Sequence, residues 1–227
     1  ALDWTEGQLA PDDDGIFSID VSSGEKNLLV SFKELVNSIR GRTFRKSESG
    51  RFSLASSSEL KDVQLEKPDV DKAAFYINHT LWNRTDDCIY FYLRGRYQKQ
   101  SIWIDVPCTI KPDGTGLIAH SIPLGGHPEW AEDHLIIGDN ENLQVMYDVN
   151  KQKIVGQLGN ADIFPKPGGD IALSPDGKWF VNGYSSNDRK NNYYALLFPD
   201  NIDQKINPQN KKKYGSLASE IVINALF

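Results

Sequence analysis

The chain has 227 residues, 39% of them hydrophobic and 11% aromatic, enough to bury a sizeable core in one or two domains. Acidic residues outnumber basic ones, 31 to 25, for a formal net charge of −6, the opposite of the basic surplus with which a dedicated nucleic-acid binder attracts phosphates. No apolar run reaches the roughly 18 residues of a membrane span, Ala1-Leu2-Asp3-Trp4 lacks the basic start of a secretion signal, and two cysteines are too few for a disulfide-stapled scaffold.

Strand signals dominate from the first turn onward. Short β-branched and aromatic runs lie between clusters of Gly, Pro, Asn and Asp, the pattern of an all-β domain. They cover Gly15–Val21, Asn27–Phe32, Cys88–Arg94, Ser101–Val106, His134–Gly138, Leu143–Val149, Lys178–Gly183 and Tyr193–Phe198. One helix is expected, Phe32–Ile39, with Phe32, Leu35, Val36 and Ile39 at helical spacing. Gly41–Ser58 is rich in Arg, Lys, Ser and Gly and reads as a solvated loop; the other reading is a basic lip over an acidic ligand. Helix and polar loop together make an insertion at 32–75.

Two landmarks recur. Phe17–Val21, Ile102–Val106 and Val145–Val149 share the pattern apolar-x-x-Asp-Val, placing Asp20, Asp105 and Asp148 at matching points. Trp82, Trp130 and Leu173 each end an apolar strand that runs into an acidic turn, 48 and 43 residues apart. A period of about 40–50 residues carrying four strands signals a β-propeller blade. The blades are a half at Gly15–Phe32, then Tyr76–Pro123, Gly126–Leu158 and Ile163–Pro199. A sandwich of hairpins is the rival, but it leaves the shared register of the two landmarks unexplained.

The expected fold is therefore all-β: a β-propeller of four-stranded antiparallel blades, about three and a half of them, over residues 1–206. Residues 207–227 depart from the repeat and have no assigned place. So few blades leave strand edges unpaired, so the remaining blades are expected from a longer chain or a partner chain. Cys88 begins one strand and Cys108 ends the next, and antiparallel pairing across the Arg94–Lys99 turn brings the two near one another. A disulfide is one reading, and two reduced thiols the preferred one, because a direct cross-strand disulfide is strained.

Ser174-Pro175-Asp176-Gly177-Lys178-Trp179 is similar to the inner-hairpin turn of Tol-type, WD-repeat-like propellers. Ile77-Asn78-His79-Thr80-Leu81-Trp82 and Gly126-His127-Pro128-Glu129-Trp130, with Asp13-Asp14-Gly15-Ile16 and the Ser22–Glu25 turn, resemble the bacterial oligogalacturonate lyase family over roughly Asp12–Pro199. The resemblance implies a seven-bladed ring with a divalent metal, usually manganese, on histidines near the axis. It also implies an acidic oligosaccharide as partner, cleaved by β-elimination after a base removes the uronate C5 proton. A bacterial cytoplasm or periplasm suits such a protein. The family's later His-Pro-x-Trp-type motif has no counterpart after Pro199.

The residues themselves point to the same place. His79, His127 and Asp170 each stand three positions before a strand-ending landmark, Trp82, Trp130 and Leu173, so in successive blades they converge at one channel mouth. Two imidazoles and a carboxylate suit manganese, iron or zinc. Arg94 and Arg96 follow in the same blade as His79, and a guanidinium matches a uronate carboxylate in a two-pronged fit. The expected site is thus His79 and Arg94 for catalysis and His79, His127 and Asp170 for metal. Tyr184 and Trp103 are aromatics able to stack on sugar, although interblade packing is their ordinary use. His120 and His134 lack the repeat equivalence and read as structural. The sequons at Asn78 and Asn83 read as chance. The alternative function is a non-catalytic propeller that binds protein or glycan.

Overall fold

The computed structural model describes residues 9–47, 50–56, 65–97, 103–159, 169–177, 179–185 and 190–197. The chain divides into two compact units, Ala1–Pro123 and Leu124–Phe227. Residues 207–227, with Lys211-Lys212-Lys213, lie outside the described residues. No helix among the described residues is long and apolar enough to cross a membrane.

The first unit opens with an antiparallel hairpin of β1 (Gly15–Ile19) and β2 (Lys26–Ser31). Asp20 shapes its turn: Oδ1 accepts the amides of Ser22 at 3.0 Å and Ser23 at 2.7 Å. Helix α1 (Phe32–Ile39) begins directly after, because Ser31 and Glu34 form a reciprocal cap. The Ser31 hydroxyl accepts the Glu34 amide at 3.2 Å, and the Glu34 carboxylate accepts the Ser31 amide at 2.8 Å. Leu35, Val36 and Ile39, one apolar stripe, are fully buried.

The main sheet of this unit holds β3 (Phe44–Lys46), β4 (Arg51–Leu54), β5 (Leu65–Glu66), β6 (Ala73–Trp82), β7 (Ile89–Tyr97), β8 (Trp103–Ile110) and β9 (Ile118–Ala119). Its order is β5-β3-β4-β8-β7-β6, with β9 also beside β8. All pairings are antiparallel except β4 with β8, which run parallel through Arg51↔Trp103 and Phe52↔Ile104. Strand alternation splits β7 into two faces. Ile89, Phe91 and Leu93 join α1, Phe44, Phe52, Leu54, Ile104 and Val106 in the core. Tyr90, Tyr92, Arg94 and Arg96 take the other face.

The second unit is two meanders. The first comprises β10 (Gly125–Trp130), β11 (Leu135–Asn140), β12 (Leu143–Asp148) and β13 (Lys153–Gly159); the second comprises β14 (Asp170–Leu173), β15 (Phe180–Ser185) and β16 (Asn192–Leu197). Each is antiparallel within itself, and the two first strands, β10 and β14, run parallel at His127↔Asp170. Ala131, Ile137, Met146, Ile171, Leu173 and Phe180 form the core between the meanders. A four-stranded antiparallel meander beside one with three described strands, joined through parallel first strands, is the arrangement of neighbouring β-propeller blades, and the fold is all-β of that type.

The Trp82, Trp130 and Leu173 landmarks are structurally equivalent. Each ends the first strand of a meander, and the next residue closes the hairpin with its amide: Asn83 to the Cys88 carbonyl, Ala131 to Leu135 and Ser174 to Trp179, all at 2.9 Å. Of the three Asp landmarks, Asp20 and Asp148 begin turns, as the residues after them lead one to expect, while β8 continues past Asp105 to Ile110. The reading of Gly41–Ser58 as a solvated loop is corrected. β3 and β4 lie within it, and Phe44, Phe52 and Leu54 are 0%, 2% and 0% exposed, so the apolar residues between the charges are core. Both cysteines are free thiols, as expected; Cys108 stands opposite Phe91, three residues from Cys88.

Candidate functional site

In the first unit, His79 sits on a β-bulge. The β6–β7 register slips between Asn78 and Leu81, and His79 itself has a left-handed backbone, φ 54°. Bulges re-aim side chains, and left-handed conformations of non-glycine residues gather at functional sites. The His79 ring meets the Tyr92 ring edge-on at 5.8 Å between centroids. Arg94 lays its guanidinium 4.8 Å from the centroid of the same Tyr92 ring. The structure thus brings the two residues expected for catalysis onto one tyrosine. Burial pushes the Tyr92 phenol well above its ordinary pKa, so it is a neutral hydrogen-bonding group at any physiological pH.

Arg94 lies within β7 and not in the hairpin turn, and it has an acidic partner. Its Nε donates to Asp105 Oδ1 at 3.2 Å, and Arg51 Nη1 stands 3.4 Å from Asp105 Oδ2. Asp105 is buried, so its charge requires such partners. Two of these groups escape the sequence reading. Arg51 belongs to the stretch assigned to a loop, and Asp105 is read only as a repeat landmark on its strand, with no ionic partner expected. The period-two alternation of Arg51-Phe52-Ser53-Leu54 is the signal that marks Arg51 as a strand residue.

In the second unit, His127 occupies a bulge like that of His79. The β10–β11 register slips between Gly125 and Glu129, and Gly126 just before it adopts φ 70°. Its cross-strand neighbour on β14 is Asp170, and His127 Nδ1 stands 3.3 Å from Asp170 Oδ1. Both side chains are open to solvent, 57% and 78% exposed. Two of the three residues expected at the metal therefore meet. No group of three or more His, Cys, Asp or Glu side chains placed to hold one ion occurs among the described residues. Two donors alone fall short of the set that manganese or zinc takes from protein.

The remaining histidines have structural settings. His120 is fully buried, with Nε2 2.9 Å from Thr109 Oγ1 and its amide on the Pro107 carbonyl at 2.8 Å. Burial, reinforced by the Arg42 guanidinium, lowers its pKa to about 4. His134 Nε2 lies 3.4 Å from buried Asp148. Tyr184 stacks on Tyr193 across β15 and β16 at 5.4 Å.

No protein-family model matches the chain, and no curated protein matches it. Among solved structures, an oligogalacturonate lyase in complex with manganese is similar at 12% identity and a TM-score of 0.36, over 80% of this chain and 53% of that one. A putative 6-phosphogluconolactonase from Bacteroides uniformis is similar at 16% identity and a TM-score of 0.31, over 92% of this chain and 62% of that one. The chain thus spans between half and two thirds of the length of the solved chains it resembles.

Proposed function

We propose that this protein acts on acidic, uronate-containing oligosaccharides by β-elimination, with the His127–Asp170 pair handling the proton. The observation that supports this most is the pairing itself: an imidazole and a carboxylate 3.3 Å apart, on adjacent parallel strands and open to solvent. A carboxylate against Nδ1 favours the tautomer with its proton there, which makes Nε2 the basic nitrogen. Elimination requires a base of this kind at C5 of the sugar ring. The C5–H electrons then form the C4–C5 double bond, and the glycosidic oxygen leaves C4 with a proton from an acid or from water. The uronate carboxylate must also be neutralised for C5 to become acidic.

The direct test is incubation with oligogalacturonate, with and without added manganese, while following the ultraviolet absorbance of an unsaturated uronate. Product is expected from the parent protein and a rate at least ten times lower from His127→Ala. Asp170→Asn should fall in rate with little change in KM, because it disturbs the base and not the binding. Absence of product from the parent protein under both conditions sinks the reading. The second reading, a binding platform without chemistry, draws on the engagement of Arg94 with Asp105, which leaves this arginine less available to a substrate carboxylate. Oligogalacturonate binding with no product would establish it.

A further inference from the structure

The polar face of the main sheet in the first unit carries a line of arginines and aromatic rings across five neighbouring strands. Arg51 on β4, Trp103 on β8 and Arg96 on β7 stand directly opposite one another, through Arg51↔Trp103 and Trp103↔Arg96. Arg94 and Tyr76 make the next row on the same face, being a cross-strand pair. Arg45 on β3 shares that face through Arg45↔Ser53, with its Nε on the Ser53 hydroxyl at 2.9 Å. Along this face exposure rises steadily. Tyr90 and Tyr92 are buried, the Arg94 side chain is 22% exposed, and the Arg51 side chain 56%.

At the open end, Arg96 is held between rings. Its guanidinium carbon lies 3.6 Å from the Trp103 ring centroid and 5.8 Å from that of Tyr76. Stacking of this kind holds the guanidinium plane and directs its N–H edge outward, the edge that grips a carboxylate in a two-pronged fit. Arg96 has no acidic partner among the described residues, and Asp105, the carboxylate of this face, is taken by Arg94 and Arg51. Trp103, 37% exposed, offers ring surface beside both arginines.

The geometry points to Arg51, Trp103 and Arg96 as a binding platform for carboxylated saccharide, with an uronate ring against Trp103 and its carboxylate on Arg96. Aromatic surface flanked by guanidiniums fits a ligand that carries both an apolar sugar face and a negative charge. Strands lie about 4.8 Å apart, so Arg51, on the far side of β8 and tied to Asp105, stands roughly 10 Å from Arg96 at the backbone and adds positive charge at the other edge of the Trp103 ring. The platform shares its ligand class with the proposed function but stands on other residues. It would persist if no elimination occurred.

The test is calorimetric titration of the whole protein with a short oligogalacturonate, with an uncharged malto-oligosaccharide of equal length and with a single-stranded oligodeoxythymidine. Oligogalacturonate should bind, more weakly as salt rises, and the uncharged sugar should bind at least tenfold more weakly. Arg96→Gln and Trp103→Ala should each lower the affinity about tenfold or more, and Arg96→Lys should recover only part of the loss. Circular dichroism of each variant establishes that the sheet is intact. Unchanged affinity in folded Arg96→Gln overturns the platform, as does equal affinity for the uncharged sugar. Tighter binding of the oligodeoxythymidine overturns it in favour of a nucleic-acid surface. Because the readout is binding, a failure of the elimination assay leaves it standing, and its own failure leaves the His127–Asp170 pair untouched.

Discussion

Lys151 is held at both ends by Asp148: Oδ1 accepts its backbone amide at 2.9 Å, and Oδ2 its ammonium at 2.7 Å. The Asp148 side chain is fully buried at the end of β12, and His134 approaches the same carboxylate from the start of the hairpin. One side chain thereby caps a turn and ties β11, β12 and β13 at one corner.

Asp148→Ala is expected to lower unfolding free energy by about 2 kcal/mol, the scale of a lost turn cap plus a charge-assisted hydrogen bond. Burial alone would raise the Asp148 pKa; the hydrogen bonds and charge of Lys151, with help from His134, outweigh it and bring it below the ordinary value. A depressed carboxyl contributes stability above its unfolded pKa, and that contribution is lost as pH falls through the folded one. Urea unfolding of parent and variant should therefore differ at neutral pH and converge in acid. A constant gap across that range would contradict the assignment.

His120 works in the same direction at higher pH. Its folded pKa of about 4 lies below that of an exposed imidazole, so the unfolded chain takes up the proton first. Stability should be full above about pH 6.5 and fall as pH drops from there towards 4, by up to about 3 kcal/mol. His120→Gln, at some cost in packing, should flatten that slope. Thermal melts across the range would read it, and an unchanged slope in the variant would place the effect elsewhere.

Gly95 is covered by Phe75 from the neighbouring strand. A Cβ at residue 95 would come within 2.7 Å of the Phe75 ring, which is itself almost buried. Gly95→Ala should destabilise by about 1–3 kcal/mol through overpacking. Phe75→Leu should cost less in the Gly95→Ala background than alone. A double-mutant cycle measures that coupling, and strict additivity would show that the ring does not respond to the methyl group.

Gln144 is fully buried opposite Asp139, and neither atom of its amide has a hydrogen-bond partner among the described residues. Burying an unpaired amide costs about 1–3 kcal/mol, so Gln144→Met, which keeps the volume, should stabilise the second unit by about 1 kcal/mol or more. A lower denaturation midpoint in the variant would mean that the amide is satisfied in solution.

What could be read from the sequence follows the range of the interactions. Helix α1 is legible because its cap, Ser31 with Glu34, and its stripe, Leu35, Val36 and Ile39, are local. The strand ends at Trp82, Trp130 and Leu173 are legible because hairpin turns use nearby residues. β3 and β4 are hidden, since Phe44, Phe52 and Leu54 lie singly or in a short alternation among charges, and their burial depends on β8. His127 meets Asp170 because repeat spacing places equivalent residues on adjacent strands. The ion pair of Asp105 is not legible for the opposite reason: its local pattern matches that of Asp148, and only the register of β7 with β8 sets it against Arg94.

The parallel joining of β4 to β8 carries a consequence for how the chain reaches its native state. Its partners are separated by about fifty residues, whereas β6, β7 and β8 pair with sequence neighbours, so this closure demands the larger loss of chain entropy. During synthesis the β3–β4 hairpin leaves the ribosome with one edge still waiting for β8, exposing Phe52 and Leu54 in the interval. Premature release or a slow stretch of translation between residues 54 and 103 would hold the chain in that half-paired state. Aggregation of the nascent protein is expected to begin there, before the second unit has been made.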